Sequence, residues 1–432
     1  VPQRFTSLAE WLAWFETLHP KKIDMSLDRI RVILDALGLV PPRYTVITVG
    51  GTNGKGSCVA ILESIYRAAG YRVGTFTSPH LVRFNERVRF DGRDATDDEL
   101  IELFESIEAS LGSVTLSYFE ASAVAALLHF QRRNADVAVL EVGMGGRLDA
   151  VNALDADAAL IASIDLDHTA WLGPDREAIG HEKAGIMRPG RPVIVGDPDP
   201  PASLAAHADA IGARMLAIGR DFRPVPDSGN WRFEGPDGPA RDALPVVSFG
   251  GAVQLANMAA CVALVDALQA KVPVPADAVH TGLARAGLRG RTERHVRDGV
   301  EWIFDVAHNP SAARVLRDAL DGRSASRTLA VFAAMEDKDL DGVLEPLAAA
   351  VDRWHVSRPE SERGAPIESV VRALRALGAS EPVVHADVPA ACAAAAAEAR
   401  PGERVVVFGS FYTVGPALEA LGLYSTPPAV GD

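Results

Sequence analysis

Nine consecutive residues, Val49-Gly50-Gly51-Thr52-Asn53-Gly54-Lys55-Gly56-Ser57, combine the types that hold a polyphosphate. Glycines let backbone N–H groups turn inward, a helix starting at the loop adds its partial positive charge, and Lys55 can reach terminal phosphates. Ser57 offers a hydroxyl to Mg²⁺. The common phosphate-loop pattern sets Ser or Thr directly after the Lys, whereas here Gly56 intervenes. Three further polar residues follow apolar runs: Ser78 after Thr75-Phe76-Thr77, Glu141 after Val139-Leu140, and His168 after Ile164-Asp165-Leu166-Asp167. A hydroxyl, a carboxylate and an imidazole together complete a divalent-ion site whose other ligands are phosphate oxygens and waters. Taken singly, Glu141 also reads as the partner of an arginine and His168 as the cap of a turn. Asp305-Val306-Ala307-His308-Asn309-Pro310 puts Asp305 and His308 where a ribose or base is met across a cleft, although Asn309-Pro310 is also an ordinary helix start. Residue physics alone assigns no role to Lys183 in His181-Glu182-Lys183-Ala184-Gly185, where a lysine is usually a surface charge. Gly143 to Asp149 reads as a flexible charged turn.

Positioning these residues requires strands that end at them. Tyr44 to Val49 is β-branched or aromatic, and Cys58 to Ala69 has the pattern of a helix closed by Gly70. Strand-like runs at Tyr71–Thr77, Val137–Val142, Ala159–Ile164 and Val193–Val195 alternate with helical patterns such as Glu99–Leu111 and Ser122–Arg132. Such alternation predicts a mostly parallel sheet with helices on both faces, whose ligands sit outside the carboxyl ends of its strands. Two amphipathic helices come first, one after a Ser7 cap. From Asp197 to Gly251 the periodicity fades among Pro, Gly and Asp, which predicts inserted hairpins or loops, before a helix over Leu255–Ala270. A second alternating series follows, with strands near Trp302–Asp305, Thr328–Phe332, Arg353–Val356 and Val405–Phe408. The domain boundary is expected between Arg291 and Gly299, giving units 1–294 and 295–432.

The 432 residues exceed one typical domain, and 48% hydrophobic with 23% charged residues is ordinary globular composition. A net charge of −14 disfavours sequence-independent binding to nucleic acid or anionic membranes. No run approaches the ~18 apolar residues of a membrane span. Cys58, Cys261 and Cys392 are far apart without metal-ligand spacing, so they read as buried small residues of a reducing compartment. With no signal-peptide layout at the N-terminus, the expected location is the cytoplasm.

The chain resembles the folylpolyglutamate synthases and dihydrofolate synthases of the Mur ligase superfamily. The resemblance rests on Gly51 to Ser57, Ser78-Pro79-His80-Leu81, Glu86-Arg87-Val88-Arg89, Ser117-Tyr118-Phe119-Glu120, Leu140 to Ala150, Asp167-His168-Thr169, His181 to Gly185, Asp305 to Pro310 and Gly409-Ser410, in family order over nearly the whole chain. The intervening Gly56 belongs to the family's own loop. The resemblance implies an N-terminal P-loop-type, doubly wound, mostly parallel α/β domain and a smaller Rossmann-like C-terminal α/β domain. It implies ATP held by Thr52, Asn53, Gly54, Lys55, Gly56, Ser57, Asn257, Arg291, Asp305 and His308. Two Mg²⁺ sites follow, with Ser57 on one and Ser78, Glu141 and His168 on the other; a carbamylated Lys183 supports the second, and a monovalent cation is a further candidate. Lys55, Lys183 and His168 are thereby the expected catalytic groups. Ser117, Phe119, Asp149 and Ala150 match a pterin pocket, with Phe119 stacking and Asp149 accepting from ring N–H groups, and Ser410 is the expected contact in the C-terminal domain. Tyr412 departs from relatives, which often carry His there. The implied activity is ATP-dependent joining of L-glutamate to dihydropteroate and to reduced folates by a monomer. The alternatives are a folylpolyglutamate synthase alone and another Mur-type ligase. The cell-wall type carries a domain ahead of its loop, for which about fifty residues are too few. A nucleotide-dependent regulatory module is the non-enzymatic reading, without an Asn-Lys-x-Asp guanine motif to support it.

Overall fold

The computed structural model describes residues 4–21, 24–236, 241–249, 253–322 and 325–424. β-branched runs form an eight-stranded sheet, in the spatial order Arg93–Asp94, Val88–Phe90, Val73–Phe76, Val137–Glu141, Thr45–Gly50, Ala158–Ile161, Pro192–Val195 and Arg214–Ala217. Val73–Phe76 through Arg214–Ala217 run parallel, and the other two form an antiparallel edge. The register positions the chemistry: Phe76 lies beside Leu140, Val49 beside Glu141, and Gly50 beside Ile161. Ser78, Glu141, the glycine loop and the segment leading to His168 therefore leave the sheet at one edge, the carboxyl ends of its central strands.

Helices cover both faces. One face carries Lys55–Ala68, Gln254–Ala267 and Ala276–Arg285, and the other Leu8–Leu18, Asp28–Ala36, Asp97–Ser110 and Tyr118–Arg132. Ser7, Thr96 and Ser117 each start a helix with a capping box, pairing with Glu10, Glu99 and Glu120. All three cysteines are buried and free, as expected. Lys55–Ala68 and Ala276–Arg285 meet at Gly282, where a Cβ would fall 2.7 Å from the Ile65 backbone nitrogen. Gly282→Ala must push these helices apart, and urea titration is expected to show a loss of about 1–3 kcal/mol of unfolding free energy.

The segment after Asp197 holds more order than its composition suggests. It contains the helix Ala202–Ile211, the sheet's edge strand Arg214–Ala217, and a separate antiparallel sheet of Arg223–Asp227, Asn230–Glu234 and Arg241–Pro245. The hairpins were foreseeable; the helix was hidden because its alanines leave only a weak apolar stripe, with Leu204 and Ala208 buried. Trp231 and Phe233 alternate inward onto the core beside Gln254–Ala267. Gly251 and residues 237–240 lie outside the described residues.

The second sheet has six strands, ordered Glu293–Arg297, Val300–Asp305, Arg404–Phe408, Thr328–Phe332, Arg353–Val356 and Val383–Val384. Four match the predicted strands within two residues. Glu293–Arg297 was not predicted and pairs antiparallel with Val300–Asp305 through Asp298-Gly299, both at positive φ (51° and 76°), a turn that suits a tight hairpin. This strand belongs to the second sheet and spans residues 294 and 295, so a division there falls inside an element. No described helix is long and apolar enough to cross a membrane.

Candidate active site

The loop after Thr45–Gly50 is wrapped too closely for side chains at two glycines. Gly51 has φ +144°, and Gly54 has φ +86° with a would-be Cβ 2.8 Å from Asn257 Oδ1. Thr52 stitches the loop to the neighbouring strand end: its N–H donates to Ser163 O (2.6 Å) and its hydroxyl to Asp165 O (3.0 Å). The helix begins at Lys55, so its first N–H groups lack intrahelical acceptors. Lys55 Nζ donates to Gly51 O (3.0 Å) and Thr52 O (3.2 Å). Burial pulls its pKa down against the opposing pull of Glu141 and Asp167. The buried Ser57 hydroxyl accepts from Gln254 Nε2 (3.2 Å), and Asn257 Nδ2 donates to Gln254 Oε1 (3.0 Å). Gln254 thus links two predicted residues. Its only signal in the sequence is a position one helical turn before Asn257.

A cavity of about 110 Å³ is lined by Gly51 to Gly56, Ser78, Glu141, Asp167, His168, Lys183, Arg291 and His308, among others. The structure therefore collects most of the predicted polar residues at one place. Glu141 Oε2 accepts the Ser78 N–H at 3.2 Å, and burial raises the Glu141 pKa although Lys55 opposes this. No arginine forms an ion pair with Glu141 among the described residues; the Ser78 N–H donates to it, and Lys55, Arg291 and Arg87 act on its charge without an ion-pair contact. His168 does precede the short helix Thr169–Leu172, but with φ 50° and no side-chain cap bond.

Lys183 is not the surface charge that residue physics suggests. It is 3% exposed, because the loop after Glu141 packs on its helix Arg176–Ala184: a Cβ at Gly146 would meet Lys183 Cα at 3.1 Å, and the Arg147 N–H donates to Glu182 O at 2.8 Å. Burial, seconded by Lys55, lowers its pKa to about 7. The charged turn at Gly143–Asp149 is likewise ordered. Asp149 accepts from Met144 N (3.0 Å) and Val151 N (3.1 Å), and burial raises its pKa to about 6.

The described residues contain no group of three or more His, Cys, Asp or Glu that could hold a metal by themselves. The donor set at the cavity instead fits a hard divalent ion shared with phosphate. It offers a buried carboxylate, an imidazole and hydroxyls, too few ligands to saturate the ion without substrate oxygens.

The second domain closes the cavity. Asn309 Nδ2 donates to Asn53 Oδ1 (3.0 Å), Lys338 Nζ to Asp167 Oδ1 (3.0 Å), and His308 Nε2 lies 3.8 Å from Asp167 Oδ2. Burial alone would raise the Asp167 pKa, but His308, His168 and Lys338 hold it well below the usual carboxylate range. His308 Nδ1 faces Val306 O at 2.8 Å, which leaves Nε2 toward the cavity. Asp305 serves the local backbone, accepting from Thr292 N (2.8 Å) and Ala307 N (2.9 Å), and Asn309 also caps Pro310–Asp321.

Of the predicted pterin residues, Ser117 lines a larger adjoining cavity of about 1360 Å³, and its hydroxyl is shared with Glu120. Phe119 lies 5.6 Å from Phe76, ring to ring, and against Gly143, where a Cβ would fall 2.5 Å from it. Phe119, Asp149 and the buried Ala150 thus gather at the 143–150 loop without lining either cavity, whereas Met144 of that loop lines both. Ser410 is buried and hydrogen-bonded to Thr413, while its neighbour Tyr412 lines the larger cavity. Lys338 and Arg87 were not predicted as site residues. Arg87 lies over Phe84 and Tyr118, donates from Nε to His80 Nδ1 (2.8 Å), and makes no ion pair among the described residues.

A glycine loop with Lys at a central strand end, closed by a second parallel-sheet domain, defines a Mur-type ligase architecture. Residues 49–221 match the Mur ligase middle domain and residues 290–411 the Mur ligase glutamate ligase domain. The chain belongs to the dihydrofolate synthase/folylpolyglutamate synthase family: it is 41% identical over 422 residues to the Escherichia coli dihydrofolate synthase/folylpolyglutamate synthase, covering 97% of each. The solved structure of E. coli FolC in complex with DHPP and ADP matches with TM-score 0.92 and 40% identity, over 98% of this chain and 99% of that one. The bifunctional folylpolyglutamate synthase/dihydrofolate synthase of Yersinia pestis, complexed with AMPPNP and Mn ion, matches with TM-score 0.90 and 38% identity, over 98% and 100%.

Proposed function

We propose that the chain joins L-glutamate to dihydropteroate, giving dihydrofolate, and to the γ-carboxylate of folate glutamates, with ATP converted to ADP and phosphate. The observation that carries this reading is the single cavity shared by the glycine loop, Glu141, His168, Lys183 and the second domain's Arg291 and His308. The names and ligands of the relatives above support it.

Loop N–H groups and the helix start cradle the phosphates, and Lys55 exchanges its carbonyl contacts for the terminal phosphate. Ser57 would hold one Mg²⁺, and Ser78, Glu141 and His168 the other. Bound magnesium supplies neutralisation of the charge that develops on the transferring phosphoryl group. The neutral amine of buried Lys183 can add carbon dioxide, releasing a proton and presenting a carboxylate-like group beside His168. A substrate carboxylate oxygen then attacks the γ-phosphorus in line and ADP departs, leaving an acyl phosphate. The glutamate amine attacks the acyl carbon through a tetrahedral oxyanion, loses a proton, and expels phosphate. Asn309 to Asn53 and Lys338 to Asp167 hold the second domain over the site, excluding water that would hydrolyse the acyl phosphate. Arg87, without a carboxylate partner among the described residues, suits the substrate's carboxylates. The same reading makes the protein a cytoplasmic monomer.

The test is ADP release with Mg-ATP and L-glutamate, with dihydropteroate in one reaction and a reduced folate monoglutamate in another, products identified by mass. Turnover of both is expected. Phe119→Ala is expected to raise the KM for dihydropteroate about tenfold through lost stacking. Turnover of the folate alone would remove the pterin role of Phe119 and Asp149.

A further inference from the structure

Among the described residues, Trp171 and Tyr412 are the Phe, Tyr or Trp side chains left half exposed, each at 51%, and both line the cavity of about 1360 Å³. They come from different domains. Trp171 lies on Thr169–Leu172, beyond the first sheet, and Tyr412 on Phe411–Ala420, which follows Arg404–Phe408 of the second. Among the described residues, neither ring packs on another ring or a cation, and neither polar tip is hydrogen-bonded.

The outward position of Trp171 is built in. Leu172 is buried against Gly145, where a Cβ would meet Leu172 Cδ2 at 3.0 Å, and Gly173 ends the turn at φ +111°. The Trp171 backbone N–H donates to His168 O at 2.9 Å, fixing the turn that carries the indole next to the candidate metal ligand. Leu166, also 51% exposed, lines the same cavity. Apolar surface held open at a cleft marks an occupant, and aromatic faces favour an aromatic one. Every substrate of the proposed reaction that carries the reacting carboxylate also carries a p-aminobenzoyl ring. Arg87, which makes no ion pair among the described residues, lines the same cavity and can take the carboxylates beyond that ring.

We propose that Trp171 and Tyr412 clasp the p-aminobenzoyl ring of the folate substrate between the two domains, with Leu166 completing the apolar wall. The clasp rests on the ligase reading and adds that the substrate's own ring bridges the domains, so substrate binding favours the closed cleft. The two residues are specificity-determining contacts.

The experiment measures KM for a reduced folate monoglutamate, for ATP and for L-glutamate in wild type, Trp171→Ala, Trp171→Phe, Tyr412→Ala and Tyr412→Phe. It adds titration of tryptophan fluorescence with p-aminobenzoyl-glutamate. Each alanine variant is expected to raise the folate KM about tenfold with the ATP KM unchanged, and each phenylalanine variant to stay within about threefold of wild type. Fluorescence quenching is expected in wild type and its loss in Trp171→Phe. Wild-type turnover with unchanged folate KM in both alanine variants overturns the clasp and leaves the ligase reading standing. Absence of glutamate-dependent turnover in wild type overturns the reading itself. A dimer that Trp171→Ala disperses, with folate KM unchanged, gives the surface to a second copy and also overturns the clasp.

Discussion

Lys183→Ala is expected to lower ligation on the order of 10³-fold while the protein remains folded, because the proposed mechanism has this group place charge beside the transferring phosphoryl. Its ammonium is costly to bury: the structure gives it no carboxylate ion pair among the described residues, and desolvation lowers its pKa from the ordinary 10.5 to about 7. A folded-state pKa below the unfolded one means that the unfolded chain binds the extra proton between pH ~7 and ~10.5. Wild-type stability therefore rises with pH across that window, by about 1.4 kcal/mol per pH unit from this group. In Lys183→Met this contribution vanishes. Urea midpoints at pH 7.5 and 9.5 in carbon-dioxide-free buffer measure it, and parallel pH slopes in the two proteins would mean that Lys183 is already charged when folded. Near-normal turnover by Lys183→Ala would remove the carbamate from the mechanism.

Lys55→Met is expected to cost a similar ~10³-fold in kcat/KM. Lys55 is the main counter-charge to buried Glu141, so its loss raises the Glu141 pKa further. Glu141 must be ionised to hold a cation, so the acid limb of residual activity should move to higher pH. The expected record is a pH profile displaced toward alkali, with an unchanged circular dichroism spectrum. An unshifted acid limb would show that Glu141 is not the group titrating there.

The phosphate loop was legible because its glycines, Lys55 and Ser57 are contiguous, and their spacing encodes both the backbone turn and the charge. Ser78 and Glu141 were legible because each ends a β-branched run, and parallel strands bring their ends together. Lys183 was legible only through the family resemblance and not from residue physics, since its helix has a polar face and its burial comes from the distant loop at Gly146. Asp167 and Lys338 lie 171 positions apart, and Gln254 lies 197 positions from Ser57, so those pairings exist only after folding. The helix Ala202–Ile211 was lost to weak amphipathicity, while the strand Glu293–Arg297 carried a usable signal in Asp298-Gly299.

The proposed reaction joins ATP cleavage to amide formation through an acyl phosphate. Its most direct test uses dihydropteroate labelled with ¹⁸O in the carboxylate, Mg-ATP and L-glutamate, with mass analysis of the phosphate released. Transfer of one ¹⁸O per product into that phosphate is the predicted result; glutamate-dependent product formation with unlabelled phosphate would contradict the account.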